Sequence, residues 1–187
     1  NTPAKVSLGK ALFWDEQMSS TRTVACGSCH QAMLGGSDPR TRLAPAHSTH
    51  PGLDGVLDTP DDIHGSPGVV LNSAGGALEW SPLFGLGEQV TGRLTNSMIN
   101  AAYAPEVFWD GRAGGTFLDL DNGATILPAG GALENQVLGP PVSSTEMGHI
   151  GRNWAQVAAR IAASIPLALA TNIPAGLAAF IAGRDYP

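Results

Sequence analysis

The sequence predicts a mainly α domain whose short helices are joined by long irregular loops. Helical periodicity is confined to the two ends of the chain, the middle is broken repeatedly by Pro and Gly, and no β-alternation of any length is present. The 187 residues include 24 Gly and 14 Pro, with 43% hydrophobic but only 14% charged residues. A chain of this length can bury a core as a single domain, expected over residues 1–187. So much irregular backbone is expected to be ordered around something other than regular secondary structure, as a large flat cofactor would do.

Lys5 to Gln17 reads as a short helix, with Leu8 and Leu12 one turn apart and Ala11 beside them. The polar run Ser19-Ser20-Thr21-Arg22-Thr23 closes it. From Gly35 to Gly92 the chain reads mostly as loop, interrupted by Pro39, Pro45, Pro51, Pro60, Pro67 and Pro82, and it holds His47, His50 and His64. A long unstructured stretch with that content suggests function rather than filler. Ser97 to Tyr103 suggests a short helical piece, and Gly111 to Pro141 is again Gly-rich loop. Near the end, Asn153 can cap a helix in which Trp154, Val157, Ala158, Ile161 and Ile165 share one face. A last helix is expected from Pro174 to Gly183.

The net charge of −6 comes from 16 acidic and 10 basic side chains. Without a Lys/Arg run, nucleic acid and anionic membrane are poor partners. Ala155 to Gly183 is apolar, but it contains Arg160, Pro166, Asn172 and Pro174, so two packed helices are expected rather than a membrane span.

The most informative segment is Cys26-Gly27-Ser28-Cys29-His30, which holds the chain's 2 cysteines. Cys-x-x-Cys-His is the c-type haem attachment pattern. Two thiols at this spacing reach the two vinyl groups on one macrocycle edge, and the next residue offers its imidazole to the iron. A redox Cys-x-x-Cys is expected near a βαβ pattern, zinc needs a fourth ligand, and a plain disulfide does not need the histidine. The reading is therefore one covalent haem c and redox chemistry. Export before attachment is expected too, which places the protein in the periplasm or outside the cell, with Asn1-Thr2-Pro3 as a processed start.

Four stretches together resemble the bacterial di-haem cytochrome c peroxidases and their MauG-type relatives. They are Leu8 to Asp15, Cys26 to Gln31 with Leu34-Gly35-Gly36, Thr95-Asn96-Ser97 through Phe108-Trp109-Asp110-Gly111-Arg112-Ala113, and Leu133-Glu134-Asn135-Gln136 through Gly139-Pro140 to Glu146-Met147. The resemblance implies the peroxidatic haem domain, a c-type cytochrome fold with long loops around one haem and a poorly matching loop insertion at about 39–92. It implies His30 as the proximal iron ligand, Glu146 as the distal acid/base in peroxide cleavage and Gln136 beside it. It further implies Trp109 on the electron path between two haems and Asn96 as a calcium ligand. Many relatives place a displaceable histidine in the loop after the first haem segment, and His47 lies nearest that position. His50 and His64 share the loop, while His149 follows Glu146.

Read without the family, these residues say less. Glu146 could be a first-turn acid at a helix start, and Trp109 could be core packing. Arg112 could bind a haem propionate or bridge to Asp110. The family has two haems and this chain carries one attachment motif, so a second haem domain or subunit is an expected partner. Hydrogen peroxide and a small redox-protein electron donor are the others. The alternatives are a non-enzymatic electron-transfer cytochrome, with a loop histidine or Met33 opposite His30, and a MauG-like or oxygenase-like enzyme acting on another substrate.

Overall fold

A computed structural model of the chain describes residues 2–40 and 48–186. The described residues contain helices α1 (Pro3–Trp14), α2 (Cys26–Cys29), α3 (Ala132–Val137), α4 (Trp154–Ala162) and α5 (Ala175–Ile181). Three two-stranded antiparallel sheets lie between them: β1 (Thr49–His50) with β2 (Ile63–His64), β3 (Pro67–Val70) with β4 (Glu88–Val90), and β5 (Phe117–Leu118) with β6 (Thr125–Leu127). The strands are a correction to the expected absence of β structure. None exceeds 4 residues, which is too short for an alternating pattern to show in sequence.

The terminal helices form where the sequence places them. In α1, Thr2 caps the first turn and accepts from the N–H of Lys5, with Pro3 at the first helical position. The helix ends at Trp14, earlier than expected, and a 3-10 turn covers Glu16–Met18. Asn153 and Gln156 make a reciprocal capping box at the start of α4. That helix stops at Ala162, which leaves Ile165 off its apolar face and exposed. No helix is long and apolar enough to cross a membrane among the described residues. The expected helical piece at Ser97–Tyr103 is reduced to a single 3-10 turn, Ala101–Tyr103.

The core has two parts. Met18, Val24, Val69 and Met147 pack together with Leu12 and Ile161 against them. Ala11, Leu167 and Tyr186 form the second cluster, covered by Leu8, Ile173, Leu177 and Ile181. One member of the first part comes from the segment expected to be an insertion: Val69, among the most buried side chains. In strand β4, Gln89 is buried and donates to the carbonyls of Val69 and Ser144. Thus β3 and β4 are structural members of the domain.

Two buried polar groups join distant parts of the chain. The carboxylate of Asp15 accepts from the side chain of Gln17, from the N–H of Leu167 (2.9 Å) and from the hydroxyl of Tyr186 (2.7 Å). Burial and the neighbouring Asp15 push the Tyr186 hydroxyl far above the usual phenol range. The folded chain thus keeps a proton that the unfolded chain releases above about pH 10. The stability this bond supplies is complete below that pH and is lost as pH rises. Tyr186→Phe is expected to be less stable by about 1.5–3 kcal/mol at pH 7, with the gap closing above about pH 10. Urea unfolding at pH 7 and pH 11 checks this.

The second group is Arg152, buried, with one guanidinium nitrogen donating to the carbonyls of Met18 (2.7 Å), Pro141 (3.0 Å) and Met147 (3.2 Å). It ties α1's far end to the turn that carries Glu146.

Candidate functional site

The Cys26–Cys29 segment forms the one-turn helix α2, which puts both thiols on one short turn. Gly27 is required there, because a Cβ would fall inside the Trp14 ring that packs on it. The cysteines are not bonded to each other and both are partly exposed. Burial raises the thiol pKa of both, pushing Cys29 up to about 11, with Arg40 pulling it back. A dithiol active in exchange has a lowered pKa, so the redox reading of Cys-x-x-Cys is disfavoured.

His30 follows, with its ring fixed from behind: Nδ1–H donates to the carbonyl of Gly36 at 3.1 Å. That bond leaves Nε2 with its lone pair free, the arrangement of a metal-ligating histidine oriented by its other nitrogen. Gly35 (φ 70°) and Gly36 (φ 81°) supply the left-handed turn that brings the carbonyl back. The hydroxyl of Ser97 donates to the Gly35 carbonyl, and the backbone at Met98 leaves no room for a Cβ at Gly36. Asn96 is exposed in this clasping segment, next to Ser97.

Asp38 and Arg40 close the other side. Asp38 is fully buried and accepts from the Arg40 backbone N–H, Nε and Nη2, the last at 2.7 Å. Arg40 Nη2 also reaches Cys29 Sγ at 3.3 Å and the carbonyl of Pro67 at 3.5 Å. Burial alone would raise the Asp38 pKa, but hydrogen bonds from Arg40 outweigh it and hold the carboxyl below its ordinary range.

Strand β3 connects this segment to a cleft. Its first residue, Pro67, has its carbonyl 4.0 Å from Cys29 Sγ, and two residues on the N–H of Val69 donates to Thr145 O at 3.1 Å. Gly68 lets the Thr145–Glu146 backbone press directly on the strand. Gly68→Ala is expected to cost about 1–3 kcal/mol through overpacking against that backbone, read as a lower urea midpoint at unchanged m value.

The cleft, of about 620 Å³, is lined by Phe108, Arg112, Asn135, Gln136, Ser143 and Glu146, among others. Glu146 lies in a turn rather than at a helix start, which removes the reading of a first-turn acid. Its position is set by its neighbours, since Met147 plugs the core and the Met147 carbonyl accepts from Ser20 N–H at 2.7 Å. Burial raises its carboxyl pKa, with Arg112 opposing. Gln136 faces the cleft from α3, which Asn135 anchors by donating to the carbonyls of Gly114 and Thr116.

The string Phe108-Trp109-Asp110-Gly111-Arg112 is a tight loop closed by paired backbone bonds between Val107 and Ala113. Phe108 (φ 73°) and Gly111 (φ 64°) are left-handed, a costly conformation for a Phe. The loop puts Phe108 and Arg112 on the cleft, with the guanidinium 4.0 Å from the ring centroid. Asp110 pairs with Arg93 at 2.8 Å, not with Arg112. Trp109 is 83% exposed, so it is not core packing, and the Arg93 guanidinium lies over its ring.

The remaining candidates separate. His47 lies outside the described residues. His50 packs edge-on to Phe84 with Nδ1 buried and unpartnered, while His64 is exposed and bonded to Thr49. His149 is buried, its Nδ1 on the Ile150 carbonyl. Met33 is almost fully exposed. Asp119, Asn122 and Gly123 form the self-bonded polar turn between β5 and β6. No group of three or more His, Cys, Asp or Glu side chains is arranged to hold a metal ion among the described residues.

The di-haem cytochrome c peroxidase family model matches residues 3–170. The chain belongs to this family. A stretch of 41 residues, 22% of the chain, is 54% identical to the methylamine utilization protein MauG of Methylorubrum extorquens, covering 12% of that protein. Membership in the di-haem cytochrome c peroxidase family implies haem c and an oxidoreductase function. The residues fit that group: two unbridged thiols on one turn, an imidazole with Nε2 free, and a cleft nearby that holds a carboxylic acid and an amide. Asn135 and Arg152, which hold the cleft walls, were missed in sequence because nothing local marks their partners.

Proposed function

We propose that this chain is the peroxidatic haem domain of a di-haem cytochrome c peroxidase-like enzyme, and that its substrate is hydrogen peroxide. The observation that carries the reading is the convergence of Glu146, Gln136 and Arg112 on one cleft, linked through β3 to the Cys26–His30 segment. Cys26 and Cys29 would hold the haem covalently, His30 Nε2 would bind its iron, and Arg112 would pair with a propionate. Bound there, the haem supplies the iron at which peroxide is reduced to water.

The chain's own residues manage protons and position. Reduction of one hydrogen peroxide to two waters consumes two electrons and two protons. Glu146 takes a proton from one peroxide oxygen and returns it to the other, a task suited to a carboxyl whose pKa lies above its ordinary value. Gln136, with a free amide on the cleft, orients the substrate. Electrons enter from a second haem domain or subunit docked over exposed Trp109, which Arg93 holds in place. Asn96, also exposed, is the candidate calcium ligand. His47 or another loop histidine would be a displaceable ligand of the iron. Attachment of haem c would follow export, to the periplasm or outside the cell.

The test is peroxide consumption by the haem-loaded protein supplied with a reduced small redox protein. Turnover that depends on both reactants supports the reading. Oxidation of the donor that does not depend on peroxide would leave an electron-transfer cytochrome. The match to a MauG protein favours, as a second reading, peroxide-driven oxidation of an organic or protein substrate in place of a reduced donor.

A further inference from the structure

The Asp38–Arg40 pair is not used by the proton and electron steps above, yet it is built against the attachment segment. Asp38 is fully buried and takes the Arg40 fork through Nε and Nη2, with the backbone N–H of Arg40 as a further donor. Bidentate pairing fixes the orientation of the guanidinium. Nη2 of that fixed fork lies 3.3 Å from Cys29 Sγ and also meets the carbonyl of Pro67. The pair therefore presents its positive end to the sulfur, with the carboxylate behind it.

We propose that Asp38 and Arg40 are positioning residues that set the reduction potential of the haem carried on Cys29, Arg40 raising it and Asp38 limiting the rise. This rests on the reading of Cys26 and Cys29 as haem-attachment residues. Adding one electron to the iron lowers the charge of the haem by one unit. A cation held beside the thioether sulfur favours that reduced form, and an anion opposes it. In a partly buried site the effect is only weakly screened.

The experiment is a spectroelectrochemical titration of the haem-loaded protein and its Arg40→Gln, Arg40→Lys and Asp38→Asn variants, with covalent haem confirmed by denatured mass. The expected result is a lower midpoint for Arg40→Gln, a higher one for Asp38→Asn, and one close to wild type for Arg40→Lys. Opposite signs for the two neutralising variants separate a charge effect from a packing effect, which would move both the same way. Equal midpoints, shifts of the same sign, or an Arg40→Lys shift as large as that of Arg40→Gln would overturn the proposal. Loss of haem from Arg40→Gln but not from Arg40→Lys would make Arg40 an attachment residue and overturn it too. Absence of thioether-linked haem from the wild type would instead refute the attachment reading on which it rests.

Discussion

Glu146→Gln is expected to lower peroxide turnover by about 10²–10⁴-fold, the usual contribution of a positioned acid/base, while the folded chain becomes more stable near neutral pH. The two effects have one cause. Glu146 is partly buried, and burial raises its pKa against the opposing pull of Arg112. A carboxyl whose folded pKa is raised contributes full stability only at low pH, and that contribution is lost as pH rises through the folded value. At pH 7 the wild-type chain bears the cost of a charge in that cleft, and the amide removes it. The melting temperature of the variant should therefore exceed that of wild type at pH 7, and the difference should shrink toward pH 4. A destabilised variant with full turnover would sink both the catalytic role and the electrostatic account. Sites that give up stability for function show this pattern.

Arg152→Met is expected to be the most destabilising single change, at about 3–5 kcal/mol. Each buried carbonyl left without a donor costs about 1–3 kcal/mol, and removal of the cation's own burial cost offsets part of the sum. Two carbonyls lose their donor, Met18 and Pro141, while that of Met147 keeps the Ser20 N–H. Burial already lowers the pKa of this guanidinium, with Arg160 adding to the effect, so the site holds a charge at a cost. A loss of this size is a large share of the 5–15 kcal/mol that holds a typical domain together. The check is a lower urea midpoint at unchanged m value. Arg152→Lys should recover only part of it, because the shorter lysine stem does not bring its ammonium to the place of Nη1. Since Met147 neighbours Glu146, the variant should also lose activity at temperatures where it is still folded.

What was legible in the sequence depended on how local the signal was. The Cys26–His30 segment carries its chemistry within one turn, so its reading needed no tertiary information. Helix α4 was legible because Asn153 and Gln156 cap it locally and because Val157 and Ile161 follow the helical period. The strands were not, since β3 and β4 are held by Gln89 reaching Val69 and Ser144 rather than by any alternation. Glu146 and Gln136 were found only through the family resemblance. A lone carboxyl in a turn has no periodic signature, and the cleft that gives it meaning is assembled from residues 108 to 146. Asp15 and Arg152 escaped for a stronger reason. Their partners lie 171 and 134 residues away in sequence, and no spacing rule spans such distances.

Strand β3 also bears on how the family can diverge. The separation between Cys29 and Glu146 is measured by three residues, Pro67 to Val69, and not by the long chain on either side. Segments 52–62 and 73–87 can therefore lengthen, shorten or change composition without altering the span from Cys29 to Glu146. Mutational freedom is divided accordingly: surface loops are free to acquire new contacts, while β3 helps keep Cys29 and Glu146 in register.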